Sequence, residues 1–329
     1  MPRSKATTAP GHRTPARTRA APAPAPAPPR PPAVADPLAF AHYLPRVPLQ
    51  LFAVAFTLVA AATPQGKHLA PHHRVVAALV YDPLGTLPFV CAALAAVQTW
   101  FGYWARTCRI NAQRVADGKQ NPAPPRKPNK EPKSLRGSLG AIWDQAFKGE
   151  PPAQALWKKQ AQAKGALAGV DTSFVPQAVS ITLAGAFALH VCAVLLGAPL
   201  TANTTSTFLL SLLVSILAFL PLAIALPPSA TQERYIWLRL FSSLSTTTDL
   251  ELALLAPALG AIGGAWAGAL PIPLDWDRPW QQYPTTPVLG ALAGHAAASL
   301  AALAVVGYRR AVSAAVDVLA EAKAKAKAH

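Results

Sequence analysis

Residues 260–294 read GAIGGAWAGALPIPLDWDRPWQQYPTTPVLGALAG. A glycine-striped apolar segment is followed by a proline-pinned polar turn and then by a second glycine-striped apolar segment. Gly260, Gly264 and Gly268 recur every four residues, so on a helix they form one face that another helix backbone can approach closely. Gly290 and Gly294 repeat the pattern and Ala298 extends it. Between the stripes, Pro271, Pro273 and Pro279 fix φ at three places and bias Leu270, Ile272 and Arg278 away from helical geometry. Trp276 and Trp280 suit the headgroup level of a bilayer, with the ring in apolar surroundings and the indole N–H toward water. Asp275, Asp277 and Arg278 would be penalised in a bilayer core, so the turn belongs at an aqueous face or its charges neutralise one another.

The rest of the chain agrees with a membrane setting. Its 329 residues are 52% hydrophobic yet carry a formal charge of +16, with a mean hydropathy of +0.27. The conflict disappears by position, because apolar residues fall in blocks of membrane length and Lys and Arg fall between them. Cys91, Cys108 and Cys192 make neither a disulfide framework nor a metal spacing. No cleavable signal peptide is expected, since a long basic lead precedes the first apolar block, and the Ala/Pro alternation after residue 20 opposes an amphipathic transit helix.

In order, the sequence reads as an all-α polytopic membrane protein with six transmembrane helices. Residues 1–42 are an Ala/Pro/Arg-rich disordered tail. Residues 43–104 hold the first two spans, at about 44–62 and 84–104, the second closing on Trp100, Phe101, Tyr103 and Trp104. The connection 63–82 places His68 and His72 four apart, but Pro71 lies between them and no further ligand joins at motif spacing, which favours a structural role. A basic loop follows over 105–173, with linker-like 121–133 and a possible amphipathic helix over 135–167 that would suit an anionic membrane surface. Residues 174–308 hold spans three to six, at about 175–196, 208–226, 250–270 and 288–308, with the turn at 271–286; Pro221 should kink the fourth span. The 229–249 stretch between spans four and five is amphipathic, and a basic tail occupies 309–329. Asn203-Thr-Thr matches a glycosylation acceptor but lies too near both membrane ends to be modified.

Six spans put both termini on one side, together with 27 of the 30 Lys and Arg. Only Lys67, Arg74 and Arg278 fall on the other. Positive charge marks the cytosolic side, so both termini are expected in the cytosol and the 271–286 turn in the lumen or outside. Lys325 and Lys327, five and three residues from the end, then stand where a dilysine-type retrieval signal would.

Chemistry-bearing motifs are sparse. No nucleophile with a neighbouring base and no phosphate-binding glycine loop stands at a recognisable spacing, and no cofactor or metal is expected. Asp275 and Asp277 could act as acid and base or hold a divalent ion, although Arg278 beside them argues for an ion-paired structural turn. His295 in the sixth span and Glu251 at the edge of the fifth read as helix–helix hydrogen bonders or interfacial groups. Nucleic-acid binding is not expected, because the basic loop lacks a folded platform with placed aromatics.

The string from Gly264 to Gln281, with Tyr283-Pro284 and Gly290 after it, resembles the signature of the PIG-F family of glycosylphosphatidylinositol (GPI) anchor biosynthesis proteins. A weaker match joins His190-Val191, Leu196-Gly-Ala-Pro-Leu200 and Thr207-Phe208, so the resemblance covers roughly 174–308. It implies a multi-pass endoplasmic reticulum protein that stabilises the large ethanolamine-phosphate transferases acting on the third and second mannoses of the GPI precursor. The catalytic site would then belong to the partner. Pro271, Pro273, Asp275, Trp276, Asp277, Arg278, Pro279, Trp280 and Gln281 would face that partner, the donor lipid or the glycan. A subunit presenting phosphatidylethanolamine or the glycolipid stays open as an alternative, as does a self-contained transferase.

Overall fold

The computed structural model describes residues 36–62, 71–116, 172–229, 231–274 and 276–328. The 1–35 tail, most of the basic loop with its expected amphipathic helix, His68 and Asp275 lie outside the described residues. The described residues are helical, with no strand. In chain order the helices are α1 (Phe40–Ala62), α2 (Pro71–Tyr81), α3 (Pro83–Ala116), α4 (Phe174–Leu195), α5 (Thr204–Ala218), α6 (Leu220–Ala225), α7 (Thr231–Ser242), α8 (Asp249–Ala269) and α9 (Thr285–Ala328), with a single 3-10 turn at Pro279–Gln281. Five of them, α1, α3, α4, α8 and α9, are long and apolar enough to cross a membrane.

The fourth block expected from the sequence is not one helix. It breaks at Phe219, giving α5 and α6, and neither piece reaches membrane length alone. Pro221 causes the break: it has no N–H to donate to Leu217 and its ring crowds that carbonyl. The ladder runs up to Phe219 N–H on Ser215 O at 2.7 Å and resumes with Ala223 N–H on Phe219 O at 2.8 Å. Together α5 and α6 still join the two ends of the bundle. Thr207 meets Tyr283 of the turn at one end, and at the other Leu226, just past α6, accepts the Trp237 indole N–H at 2.7 Å.

Two further differences concern helices read as connections. α2 occupies much of the 63–82 stretch, with Ala78 and Leu79 fully buried. Asp82 and Pro83 start the next helix, where the Asp82 carboxylate accepts the Gly85 N–H at 2.9 Å and proline sits at the first helical position. α9 runs 44 residues, continuing through 309–328 rather than stopping at Arg309-Arg310.

Apolar side chains pack in two layers along the bundle axis. One gathers Val54, Leu79, Leu87, Leu94, Leu213 and Val288 toward the turn and extends to Phe174, Ala178 and Ile224. The other gathers Tyr43, Val47, Phe101, Leu222, Leu254 and Val306, toward the opposite end. A polar trio lies between them: Gln50 Nε2 donates to Gln98 Oε1 at 2.9 Å, and Gln98 Nε2 lies 3.3 Å from His295 Nε2. All three are essentially buried, and they tie α1, α3 and α9 together at mid-height. Polar hydrogen bonds of this kind hold helices where apolar surface alone gives no preference between lipid and protein.

The end opposite the turn is a belt of ion pairs. Arg310 reaches Asp249 at 3.0 Å and Asp36 at 3.2 Å, and Arg309 reaches Asp249 at 3.3 Å. Arg239 meets Glu251 at 2.7 Å and Arg109 meets Glu233 at 3.0 Å. Glu251 also accepts the Thr247 N–H, while the Thr248 hydroxyl accepts the Glu251 N–H and caps α8. Burial pushes the Asp36 carboxyl above its ordinary range, and hydrogen bonds from the N–H groups of Leu38 and Asp249 pull the other way.

Candidate functional site

α8 and α9 pack backbone to backbone along the glycine stripe. A β-carbon added at Gly260 would overlap the Gly294 carbonyl oxygen, one at Gly264 that of Gly290, and one at Gly268 that of Thr286. The relation is reciprocal, since β-carbons at Gly290 and Gly294 would overlap the carbonyl oxygens of Gly264 and Gly260. Gly263, one residue off the stripe, faces open space. In lipid, where burying apolar surface between helices gains little, this close approach collects dispersion from many atom pairs at once.

The turn is locked by one buried side chain. Gln281 donates from Nε2 to the carbonyls of Pro271 at 2.8 Å and Leu274 at 2.7 Å, and its Oε1 accepts the Arg278 N–H at 3.0 Å. A single amide therefore spans the loop from Pro271 to Arg278. Around it, the N–H groups of Ile272, Leu274 and Trp276 bond to Ala269, Pro271 and Leu274. Tyr283 fastens the turn to α5 by donating its hydroxyl to Thr207 Oγ1 at 3.0 Å. Burial raises the titration of that hydroxyl and the bond to Thr207 lowers it, burial being the larger effect.

With Gln281 inside, other members of the turn point outward. Trp276 and Trp280 stand 53% and 37% exposed, their ring centroids 5.7 Å apart and the planes tilted by 55°. Asp277 is exposed in left-handed backbone geometry, with φ of 49°. Pro273, Arg278 and Pro279 are also exposed. Among the described residues Arg278 makes no ion pair with Asp277, while Asp275, the other carboxylate of the expected ion-paired turn, lies outside them, and it is the Gln281 amide that spans the turn. That role was hidden because a glutamine after Pro-Trp carries no motif of its own.

The remaining candidates separate. His295 belongs to the mid-height trio, and its backbone carbonyl accepts the Ser299 hydroxyl at 2.7 Å. Glu251 serves the ion-pair belt. His190 sets its ring edge-on to Phe208 with centroids 6.0 Å apart. The Leu196–Leu200 stretch ends α4 in a glycine cap, with Gly197 at φ 109° and the Ala198 N–H on Ala193 O at 2.9 Å. His72 falls in the first turn of α2, and Lys325 and Lys327 in the last turns of α9. Among the described residues no three His, Cys, Asp or Glu gather as a metal site.

Known proteins resemble this chain. The family model described as "GPI biosynthesis protein family Pig-F" matches residues 66–303. A human protein named "GPI ethanolamine phosphate transferase, stabilizing subunit" is 41% identical over 115 residues, 35% of this chain and 51% of that protein. A Schizosaccharomyces pombe "PIGF/3-ketodihydrosphingosine reductase fusion protein" is 38% identical over 119 residues, 36% of this chain and 23% of the fusion. An Aspergillus fumigatus "Glycosylphosphatidylinositol anchor biosynthesis protein 11" is 36% identical over 136 residues, 40% of this chain and 43% of that protein. The chain thus spans about half the length of the human relative. No solved structure matches.

Proposed function

The chain belongs to the PIG-F family of GPI biosynthesis proteins, whose family model matches residues 66–303, and from that premise we propose that it is a non-catalytic membrane subunit that binds and stabilises ethanolamine-phosphate transferases. In this reading the transferases are those acting on the third and second mannoses of the GPI precursor. The α8–turn–α9 hairpin is the observation that carries the proposal. It is rigid from within, by glycine packing and the Gln281 amide, and it turns Trp276 and Trp280 outward. An element locked by its own backbone and bearing exposed aromatics suits partner binding, where rigid aromatic anchors contribute most of the affinity.

The proposal includes a topology. Six passes cross the bilayer, the fourth made by α5 and α6 together, with both termini and the ion-pair belt cytosolic and the 271–286 turn lumenal. The charge distribution supports this orientation. The membrane is that of the endoplasmic reticulum, with Lys325 and Lys327 at the tip of α9 as a retrieval signal. Purified full chain should show no transferase activity, yet recover a much larger membrane transferase from gently solubilised native membranes. Transferase activity from the chain alone would refute the reading.

A further inference from the structure

An apolar groove of about 430 Å³ opens sideways between α4 and the elbow joining α6 to α7. On one wall Ala184 and Ala188 of α4 leave room because their side chains are short. Gly185 beside them lets Phe219 close in, since a β-carbon there would overlap the phenyl ring and stand 2.9 Å from Ser215 Oγ. The opposite wall is Phe219, at the helix break, and Trp237, whose indole is held by its bond to Leu226 O. The α4 lining lies about 10–20 Å along the helix from Phe174 at 1.5 Å per residue, so the groove reaches well into the span.

Its chemistry changes at the end nearest the ion-pair belt. Arg234 stands there, donating Nε to Pro228 O at 3.1 Å and a terminal N–H to Ser229 O at 3.4 Å. These bonds hold the guanidinium over the elbow. Arg109, Arg239, Arg309 and Arg310 each meet a carboxylate, but among the described residues Arg234 meets none. Tyr235 and Leu238 beside it are 68% and 65% exposed, as on a helix lying at a membrane surface. An open apolar groove ending in a cation that meets carbonyls but, among the described residues, no carboxylate suits a ligand with an apolar chain and an anionic head.

We propose that this groove is a glycerophospholipid site, with one acyl chain between α4, Phe219 and Trp237 and the lipid phosphate on Arg234. A guanidinium is well suited to phosphate oxygens, and the volume suits one chain, the other remaining in the bilayer. The site stands on this geometry and not on the stabilising-subunit reading, because it lies at the opposite end of the bundle from the turn.

The test uses the full chain exchanged extensively into mild detergent, with bound phosphorus counted by lipid extraction and the complex weighed by native mass spectrometry. The wild type should keep about one phospholipid per chain, as one slot with one cation requires. The double variant Ala184→Leu/Ala188→Leu fills the slot and should keep almost none. Arg234→Gln, an exposed change that leaves the bundle intact, should need about tenfold more added dioleoylphosphatidylglycerol for half-occupancy, as loss of a charge-assisted contact implies. Inorganic phosphate at the same concentrations should not displace the lipid, since the chain supplies most of the binding. Complete delipidation of the wild type overturns the proposal, as does displacement by inorganic phosphate. Equal retention by the filled variant, or unchanged occupancy in Arg234→Gln should the filled variant not fold, overturns it as well.

Discussion

Gly264→Leu, with Gly263→Leu as the neighbouring control, isolates what the glycine stripe contributes. A β-carbon at position 264 overlaps the Gly290 carbonyl oxygen and stands 2.9 Å from the Gly290 carbonyl carbon and 3.0 Å from the Gly294 α-carbon. These are backbone atoms that no rotamer change can move aside. Carbon contacts relax toward about 3.5–4.0 Å, so α8 and α9 must part by about 1 Å, and at such a gap each facing pair loses about a quarter to a half of its attraction. Over a few tens of pairs at ~0.1–0.2 kcal/mol each, the loss comes to about 2 kcal/mol, within the usual range for an overfilled site. That is about thirtyfold in the folding equilibrium. At position 263 the same side chain meets nothing, and replacing a helical glycine by leucine gains up to about 1 kcal/mol. Reversible unfolding in mixed micelles, followed by tryptophan emission, compares the two directly. Equal stability of the two variants would refute the packing argument, because their hydrophobicity and sequence neighbourhood are nearly the same.

Three other perturbations probe the remaining parts. Gln281→Leu removes three bonds from the turn, leaving the Arg278 N–H without its side-chain partner and the Pro271 and Leu274 carbonyls with one backbone bond each, and at about 1 kcal/mol for each bond lost the loop should open. Limited proteolysis between Pro271 and Arg278 reads this out, with faster cleavage expected than in the wild type. Arg310→Ala should destabilise more than Arg309→Ala, because Arg310 binds Asp249, Asp36 and the Leu38 carbonyl whereas, among the described residues, the more exposed Arg309 binds only Asp249; chemical denaturation midpoints in detergent check the order. Gln98→Leu removes the middle member of the mid-height trio and should cost about 1 kcal/mol, and adding His295→Leu should cost less than the sum of the two single changes, a difference measured by a double-mutant cycle.

The hairpin was legible because its signal is periodic and local. Four-residue glycine spacing defines a helix face without knowledge of the partner, and prolines at 271, 273 and 279 mark where the chain must leave the helix. Pro221 likewise foretold trouble in the fourth block, though not that two separate helices would result. α2 was hidden by its polar opening, Pro71-His-His-Arg74, which masks the apolar run after it; the Asp82-Pro83 start signal was the available clue. The last stretch of α9 reads as a basic tail by composition, yet Ala, Lys and Glu are strong helix formers with nothing to stop them. Contacts between distant positions left no trace at all. Arg310 bonds the Leu38 carbonyl 272 residues away, and Gln98 joins His295 across 197 residues; such pairs appear only once the helices are assembled. Gln281 fell between these cases, visible in the motif but without any sign that its amide would hold the turn together.

Recovery of the transferase partner by turn variants tests the central claim most directly. Trp276→Ala/Trp280→Ala removes two exposed rings while leaving Gln281 and the glycine packing in place. Full chain carrying this change is purified by gentle-detergent affinity capture from its native membranes, and co-purifying transferase is quantified against the wild type. The account predicts an unfolding midpoint unchanged from the wild type together with transferase recovery reduced at least about tenfold, as loss of an aromatic anchor pair implies. Recovery equal to the wild type, with the variant expressed and folded, would contradict it.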